Sequence, residues 1–363
     1  MKARAGDVYT VFNNYLGRYT ACQVAYIAPP DAVSKQPGAV ILSLDWVGNA
    51  PLTKEELPNL RPLYKDFMYW QRDLHLLRVP IEVPQQYTWV GTLPSFTDKP
   101  CRSYGGWSDG YDVYRQIKWQ AIPEKRRQAF KKAIESDEQT EIGGVHVKIN
   151  SHRVMDQYLP FSSALELRVL PCLSTLVCEQ WHPDLIEFLR ENPFIDELTL
   201  LHHGQKTLDL RGTNVRKLML DMTGLEELWV SDCTEYLLFQ TEDPDVCTIH
   251  APESGKYLTL DFTGQYRPHP ELVNLRGLYG AKLKVFDLSL LEKIHPHLRE
   301  LRLWGAPGTL VNFKTVSKLP ELARFSCFDL FGFGADEIPT PEQMPNLSWF
   351  WMTSLPEDAA KAI

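Results

Sequence analysis

Residues 195–200 read IDELTL and residues 215–220 read VRKLML, so one spacing of apolar residues recurs twenty residues later. In each copy the first, fourth and sixth positions are apolar, as at Ile195, Leu198 and Leu200. Alternation at the last three positions is typical of a strand that buries one face. The pair therefore predicts two equivalent strands within a repeat.

Similar segments extend on both sides of this pair. Their fourth positions fall at residues 176, 198, 218, 238, 258, 278, 301, 325 and 350, with spacings of 22, 20, 20, 20, 20, 23, 24 and 25 residues. The pattern resembles the leucine-rich repeat, in which each unit adds one parallel strand and a return segment. The resemblance implies an α/β solenoid over about residues 165–363, with a parallel sheet on its concave face.

The repeat leaves one register open and predicts helices in two returns. A half-period copy at Leu225, Leu228 and Val230 gives a ten-residue rhythm, so either of two registers fits residues 225–260. The return at 183–190 predicts a helix because its apolar residues share one face. The longer return at 313–319 has room for a helical turn.

The N-terminal region predicts a mainly β domain. Residues 6–12 alternate, turn formers follow at 13–17, and residues 18–27 and 38–46 are rich in β-branched, aromatic or other apolar residues. A basic helix is predicted over about 123–135. We therefore divide the chain into a β-rich domain with a closing helix (1–140), a linker and cap (141–168), and the repeats (169–363).

The first strands also resemble a known domain. The opening Gly6-Asp7-Val8-Tyr9, followed by a tyrosine-rich strand with Gln23-Val24, resembles the start of a small barrel in one group of bacterial immunity proteins. Those proteins neutralise a cognate toxin by binding it. The resemblance implies a barrel-like N-terminal domain and a bacterial, cytoplasmic antitoxin.

Charge is divided unevenly between the two halves. Residues 1–150 carry 19 Lys and Arg against 16 Asp and Glu, whereas residues 151–363 carry 19 against 30. An acidic repeat region does not suit the phosphate backbone of a nucleic acid. It suits a basic protein partner, such as a toxin domain, although acidity also serves solubility alone.

The outward positions of the predicted strands are rich in Trp, Tyr and Arg, the residues that dominate protein-binding hot spots. We expect them to bind a partner, unless the N-terminal domain or a second copy of the chain covers them. The candidate partner-binding residues are Asp221, Tyr236, Phe239, Tyr257, Asp261, Phe262, Tyr279, Arg299, Arg302, Trp304, Arg324, Phe328, Asp329, Trp349 and Trp351.

No catalytic, cofactor or metal site is predicted. The sequence lacks a P-loop, a dinucleotide glycine motif and a Cys-x-x-Cys pair, and Cys327 falls at a core position of a repeat. Two alternatives remain. One is an enzyme whose chemistry lies in the N-terminal domain, with Asp45, Asp73 and His75 as first candidates, and the other is a structural scaffold.

The lengths of the apolar segments predict where in the cell the protein lies. No segment approaches the roughly 18–20 apolar residues of a membrane helix. The positive charges near the N-terminus are not followed by an apolar stretch, so no secretory signal is predicted. We expect a cytoplasmic protein without membrane contact.

Overall fold

A computed structural model of the chain describes residues 1–13, 15–107, 110–240, 247–251 and 258–353. The fold is mixed α/β, and the chain divides into two compact units. Unit 1 is Met1–Asp137 and unit 2 is Glu138–Ile363.

Unit 1 is built on a five-stranded antiparallel sheet with the order β6-β3-β2-β1-β7. The predicted hairpin is confirmed as β1 pairing with β2. Because successive side chains of a strand point to opposite faces, Val8 and Tyr9 enter two different apolar clusters, and the sheet is buried on both faces. The strands are β1 (Asp7–Asn13), β2 (Arg18–Ala28), β3 (Gly38–Gly48), β4 (Tyr64–Lys65), β5 (Asp73–Leu74), β6 (Leu76–Pro80) and β7 (Thr88–Thr92).

Two helices follow this sheet, α1 (Gly110–Ala121) and α2 (Glu124–Ser136). The helix predicted at 123–135 is confirmed as α2, which packs Phe130 and Ala133 inward and exposes Lys125 and Lys132, while its other basic residues are half-buried. It ends at Asp137, whose left-handed backbone (φ 52°) stops the helix. A short 3-10 helix, Lys54–Asn59, links β3 to β4.

Unit 2 contains a ten-stranded, wholly parallel sheet of order β10-β11-β12-β14-β16-β18-β19-β20-β21-β22. A hairpin of β8 (Gln139–Ile142) and β9 (Val145–Lys148) precedes it. The sheet strands are β10 (Arg153–Met155), β11 (Thr175–Cys178), β12 (Glu197–Leu200), β14 (Lys217–Leu220), β16 (Tyr236–Phe239), β18 (Leu258–Thr263), β19 (Leu275–Asp287), β20 (Glu300–Val311), β21 (Arg324–Phe331) and β22 (Trp349–Met352).

One apolar position of each strand pairs with the same position of its neighbour, and we call this row the core column. All its members are buried except Phe350 at the C-terminal edge, which is half-buried. The core column is Val154, Leu176, Leu198, Leu218, Leu237, Leu260, Leu278, Leu301, Phe325 and Phe350.

The predicted register is wrong at two strands. In β16 the inward residues are Leu237 and Phe239, one position before those expected, and in β18 Leu260 rather than Leu258 joins the core column. Tyr236-Leu-Leu-Phe239 offers apolar residues on both faces, so its composition does not fix the facing. Pairing with β14 fixes it, because a slip of one residue exchanges the faces of a strand.

The ten-residue rhythm has a structural basis in a second parallel sheet of order β13-β15-β17. Its strands, β13 (Thr207–Asp209), β15 (Glu227–Trp229) and β17 (Thr248–His250), alternate along the chain with those of the large sheet. Leu208, Leu228 and Ile249 from this sheet share one apolar cluster with the core column. The two sets of apolar positions, ten residues apart in the chain, therefore both form strands, one set in each sheet.

Helical returns occur where the sequence predicts them. The return at 183–190 holds α3 (Leu185–Glu191), and the return at 313–319 holds a 3-10 helix, Phe313–Lys318. The other helices of unit 2 are α4 (Ser289–Ile294) and the 3-10 helices Ala164–Val169, Ala335–Glu337 and Pro341–Gln343. Among the described residues, no helix has both the length and the apolar character that a membrane crossing requires.

The core column makes a prediction for stability. Leu218 is 1% exposed, whereas Lys217 beside it on β14 is exposed and pairs with Glu197 at 2.8 Å. We expect Leu218→Ala to lower the free energy of unfolding by about 2–5 kcal/mol, because it leaves a cavity. Lys217→Ala should cost less than about 1 kcal/mol. Denaturant unfolding of the full chain, followed by circular dichroism, measures both, and equal costs would contradict the observed facing of β14.

Candidate functional site

The face of the large sheet opposite the core column carries two rows of paired side chains, which we call the outer face. One row consists of Lys217, Tyr236, Thr259, Gly277, Glu300, Arg324 and Trp349. The other consists of Met219, Leu238, Asp261, Tyr279, Arg302, Ser326 and Trp351. Neighbouring strands thus bring distant residues into one continuous surface.

Four aromatic side chains meet at the C-terminal end of the outer face, and we call them the aromatic cluster. The rings of Trp304 and Phe328 stack with centroids 5.2 Å apart and planes 6° apart. The ring centroid of Trp351 lies 5.5 Å from that of Phe328 and 6.0 Å from that of Trp349. The three tryptophans are 37–51% exposed. The cluster offers stacked, partly uncovered aromatic area with indole N–H groups at its rim.

A polar network centred on Glu300 borders the aromatic cluster. Tyr279 donates its hydroxyl to Glu300 Oε2 at 2.8 Å, and Arg302 Nε donates to Glu300 Oε1 at 2.9 Å. Arg324 Nη1 lies 3.7 Å from the same Oε1. The Arg302 guanidinium also lies over the Tyr279 ring, 4.7 Å from its centre. These contacts hold the long side chains in fixed positions on the outer face.

Tyr236 and Asp261 form a second hydrogen-bonded pair on adjacent strands. The Tyr236 hydroxyl donates to Asp261 Oδ2 at 2.5 Å. Burial raises the pKa of the Asp261 carboxyl, although the Tyr236 hydrogen bond and the Arg302 charge both oppose this rise. Burial also raises the pKa of the Tyr236 hydroxyl, so this group keeps its proton and acts as a donor.

Most predicted residues lie on or beside the outer face. Trp304 of β20 and Phe328 of β21 pair with each other on the same face, one alternate position beyond Arg302 and Ser326. Asp221 directly follows β14, where its carboxylate accepts from Thr223. Asp329 is exposed and has a left-handed backbone (φ 52°). Tyr257 lies outside the described residues.

Two predictions of outward residues are wrong, and a third residue, Arg299, is exposed but lies outside the rows. Phe239 and Phe262 are 2% and 5% exposed and belong to the apolar core. Phe239 is inward because the register of β16 differs by one residue from the expected one, and Phe262 is inward because β18 runs to Thr263 and alternates through Leu258 and Leu260. Arg299 precedes β20 and is not in the rows of the outer face. Its Nε pairs with Glu321 Oε2 at 3.1 Å.

Glu300 is the residue that the sequence reasoning missed. It holds the centre of the polar network, yet only Arg302 and Trp304 of its strand were predicted. Strict alternation backward from Trp304 through Arg302 reaches Glu300, so the signal was present in the sequence.

One group among the described residues has the composition of a metal site. Ligand atoms of Asp156, Cys178 and His182 all lie within 4.8 Å of one another, and all three residues are buried. Both Asp156 oxygens already accept from the Glu179 backbone N–H at 2.8 Å. Burial raises the pKa of the Cys178 thiol, which disfavours the thiolate that a metal needs. The observed contacts make this group an anchor for the loop after β11.

Cys327 of unit 2 is predicted to be a core residue. It is fully buried, as expected, and burial raises the pKa of its thiol to about 12. A thiol with this pKa is protonated at neutral pH and is a poor nucleophile.

The three residues predicted as candidates for chemistry in unit 1 differ in burial. Asp45 and Asp73 are exposed, whereas His75 is buried. The carboxylate found beside His75 belongs to Asp112, which the sequence reasoning did not select.

Comparison with known proteins does not assign the chain to a family. No family model matches it, and no curated protein matches it either.

The pH dependence of stability tests the environment of Asp261. A raised pKa means that the folded state holds its proton above about pH 4, where an unfolded Asp ionises. This contribution to stability is therefore complete at low pH and is lost as the pH rises through the raised pKa. Asp261→Asn cannot ionise and still accepts from Tyr236, so its free energy of unfolding should rise relative to wild type from about pH 4 to neutrality.

Asp209 provides a control of opposite sign. The hydrogen bond from Arg211 lowers the pKa of its carboxyl to about 2. Its stabilisation is present above about pH 4 and is lost as the pH falls. Relative to wild type, Asp209→Asn should therefore become less stable as the pH rises through this range. Urea unfolding at several pH values measures both differences, and a flat curve for Asp261→Asn would contradict the burial of an ionisable carboxyl.

Proposed function

We propose that unit 2 is a leucine-rich-repeat solenoid whose outer face is its concave, protein-binding side. The regular parallel pairing and the core column support this interpretation, since each strand contributes one buried apolar position to a continuous core. On this proposal unit 1 is the barrel-like domain of a bacterial immunity protein.

The aromatic cluster carries the proposal of a binding surface. Trp304, Trp349 and Trp351 expose large apolar areas side by side, and contiguous exposed apolar patches mark interaction sites. Tryptophan in such a patch gives much binding energy because its area is large and its conformational freedom small. The network around Glu300 adds charged and hydroxyl groups that are already in place before binding.

Charge supports a basic partner. Residues 151–363 carry eleven more acidic than basic residues, and the rows of the outer face hold Glu300 and Asp261 among the cations Lys217, Arg302 and Arg324. An acidic surface attracts a basic protein and steers its approach. We therefore propose that the chain binds and neutralises a basic toxin domain in the bacterial cytoplasm. On this proposal the chain neutralises the toxin by binding to it and not by catalysis.

Substitution of the aromatic cluster tests this function. A basic protein that a pull-down with the full chain isolates from the native cell, and that is toxic when expressed alone, is expressed with wild type or with the double variant Trp304→Ala/Trp351→Ala, and growth rescue and affinity are measured. We expect the double variant to lose rescue and to bind at least about thirtyfold more weakly, which corresponds to about 2 kcal/mol. Its melting temperature should stay close to that of wild type, because both side chains are exposed.

Trp229→Ala is the matched control, since Trp229 lies on β15 of the other sheet and stacks on His250. It should retain rescue and bind within a few-fold of wild type. Unchanged binding of the double variant would overturn the proposed surface. Binding without any protection of the cell would instead favour a scaffold.

The salt dependence of association tests the charge of the partner. If a basic toxin meets a unit 2 of net negative charge, the association rate should fall steeply as ionic strength rises, because salt screens the attraction. Stopped-flow or surface-binding kinetics at low and physiological salt measure this effect. A rate that does not change with salt would contradict electrostatic recognition while leaving the aromatic contact intact.

A further inference from the structure

Unit 1 contains a cleft that the proposed binding function does not use. It has a volume of about 150 Å³ and lies among residues of β1, β2, β3, α1 and the segments around His75 and Tyr87. Aromatic rings of Phe12, Tyr87 and Trp107 line it together with the polar groups of Ser43 and His75. A cavity of about 150 Å³ can bind a molecule the size of benzene, so the cleft has room for a small acyl group.

Ser43 and His75 are brought together by strand pairing. Leu42 of β3 pairs with Leu76 of β6, which places the residues next to this pair, Ser43 and His75, side by side. The Ser43 backbone N–H donates to the His75 carbonyl at 3.2 Å. Their side chains also meet, with Ser43 Oγ 2.8 Å from His75 Nδ1. Both residues are less than 10% exposed, so the sheet fixes this hydrogen bond.

The other ring nitrogen of His75 faces a carboxylate. Asp112, in the first turn of α1, places Oδ2 3.6 Å from His75 Nε2. Lys65 Nζ lies 3.7 Å from the same oxygen and sits 3.5 Å from the centre of the Trp70 ring. Lys65 therefore helps to hold the carboxylate beside the imidazole. A distance of 3.6 Å is long for a hydrogen bond, but such contacts often tighten only when substrate binds.

A serine hydroxyl that contacts an imidazole, which in turn contacts a carboxylate, is the arrangement that activates a serine as a nucleophile. When Nδ1 carries no proton it accepts from the Ser43 hydroxyl, and the proton on Nε2 then points toward Asp112. The imidazole can take the hydroxyl proton, and the negative charge of Asp112 stabilises the imidazolium that results. The order of the two ring nitrogens is the reverse of the usual one, but each still has the partner that its role requires.

We propose that Ser43, His75 and Asp112 form a nucleophilic site that hydrolyses esters of small carboxylic acids. The small cleft limits the acyl group to a few heavy atoms. An ester is favoured over an amide because its alcohol leaves more readily than an amine. This activity belongs to unit 1 and is independent of toxin binding by unit 2.

The reaction has two balanced steps. First, Ser43 Oγ attacks the ester carbonyl carbon and transfers its proton to His75. The carbon–oxygen bond to the alcohol breaks, and the alcohol leaves with the proton from His75. Second, His75 takes a proton from water, whose oxygen attacks the acyl-serine carbonyl. The bond to Ser43 Oγ breaks, this oxygen regains the proton, and the carboxylic acid leaves.

Covalent labelling of the full chain is the direct test. The purified protein is treated with a fluorophosphonate probe, and the labelled peptide is identified by mass spectrometry. We expect the label on Ser43, because the neighbouring imidazole makes this hydroxyl more nucleophilic than others. Exposed Ser95 is the internal comparison, and Ser95→Ala should label like wild type. A label on another residue, or none at Ser43, would overturn the proposal.

Turnover of p-nitrophenyl acetate gives a second readout. Ser43→Ala and His75→Gln should each lower kcat at least about 100-fold, since each removes an essential participant. Asp112→Asn should lower kcat about tenfold or more with little change in KM, because Asp112 acts through His75. The longer p-nitrophenyl octanoate should react far more slowly.

Folding of each variant is checked by circular dichroism, and labelling of wild type decides the question if a variant does not fold. Wild-type turnover equal to that of folded Ser43→Ala would overturn the site. Loss of turnover without loss of toxin binding in these variants would show that the two activities are separate.

Discussion

The parallel pairing that aligns the core column is the constraint on which unit 2 depends. Each strand of the large sheet presents one buried apolar residue at the same level as its neighbour, from Val154 at one edge to Phe350 at the other. A strand has two faces, so fixing the inward residue also fixes which side chains face outward. Every feature of the outer face follows from this alignment.

The consequences are clearest where the alignment shifts. In β16 the inward residues are Leu237 and Phe239, which turns Tyr236 outward beside Thr259. The Tyr236 hydroxyl then reaches the Asp261 carboxylate, whose burial among the neighbouring strands raises its pKa. A one-residue slip would bury the tyrosine, expose the phenylalanine and break this pair.

The two proposed sites rely on different physics. On the outer face, exposed rings and fixed charges extend over several strands, which suits a large partner that covers them and excludes water. In unit 1, Ser43 and His75 line a small cleft and Asp112 lies beside the imidazole, which suits a compact ligand and proton transfer. Antiparallel pairing of β3 with β6 sets the hydroxyl–imidazole contact, just as parallel pairing sets the outer face.

The sequence by itself determined the existence of the repeated strands, the hairpin of β1 and β2, and the helices near residues 123–135 and 183–190. These features depend on the apolar spacing within a few consecutive residues, and that spacing is visible in the chain. It also pointed to Asp261, Tyr279, Arg302 and the tryptophans, because strand alternation separates inward from outward positions. Only the tertiary structure decided the register at Leu237 and Leu260, the central place of Glu300 and the approach of Asp112 to His75. Those outcomes depend on pairing between residues far apart in the chain, and local composition carries no information about which distant neighbour a side chain will meet.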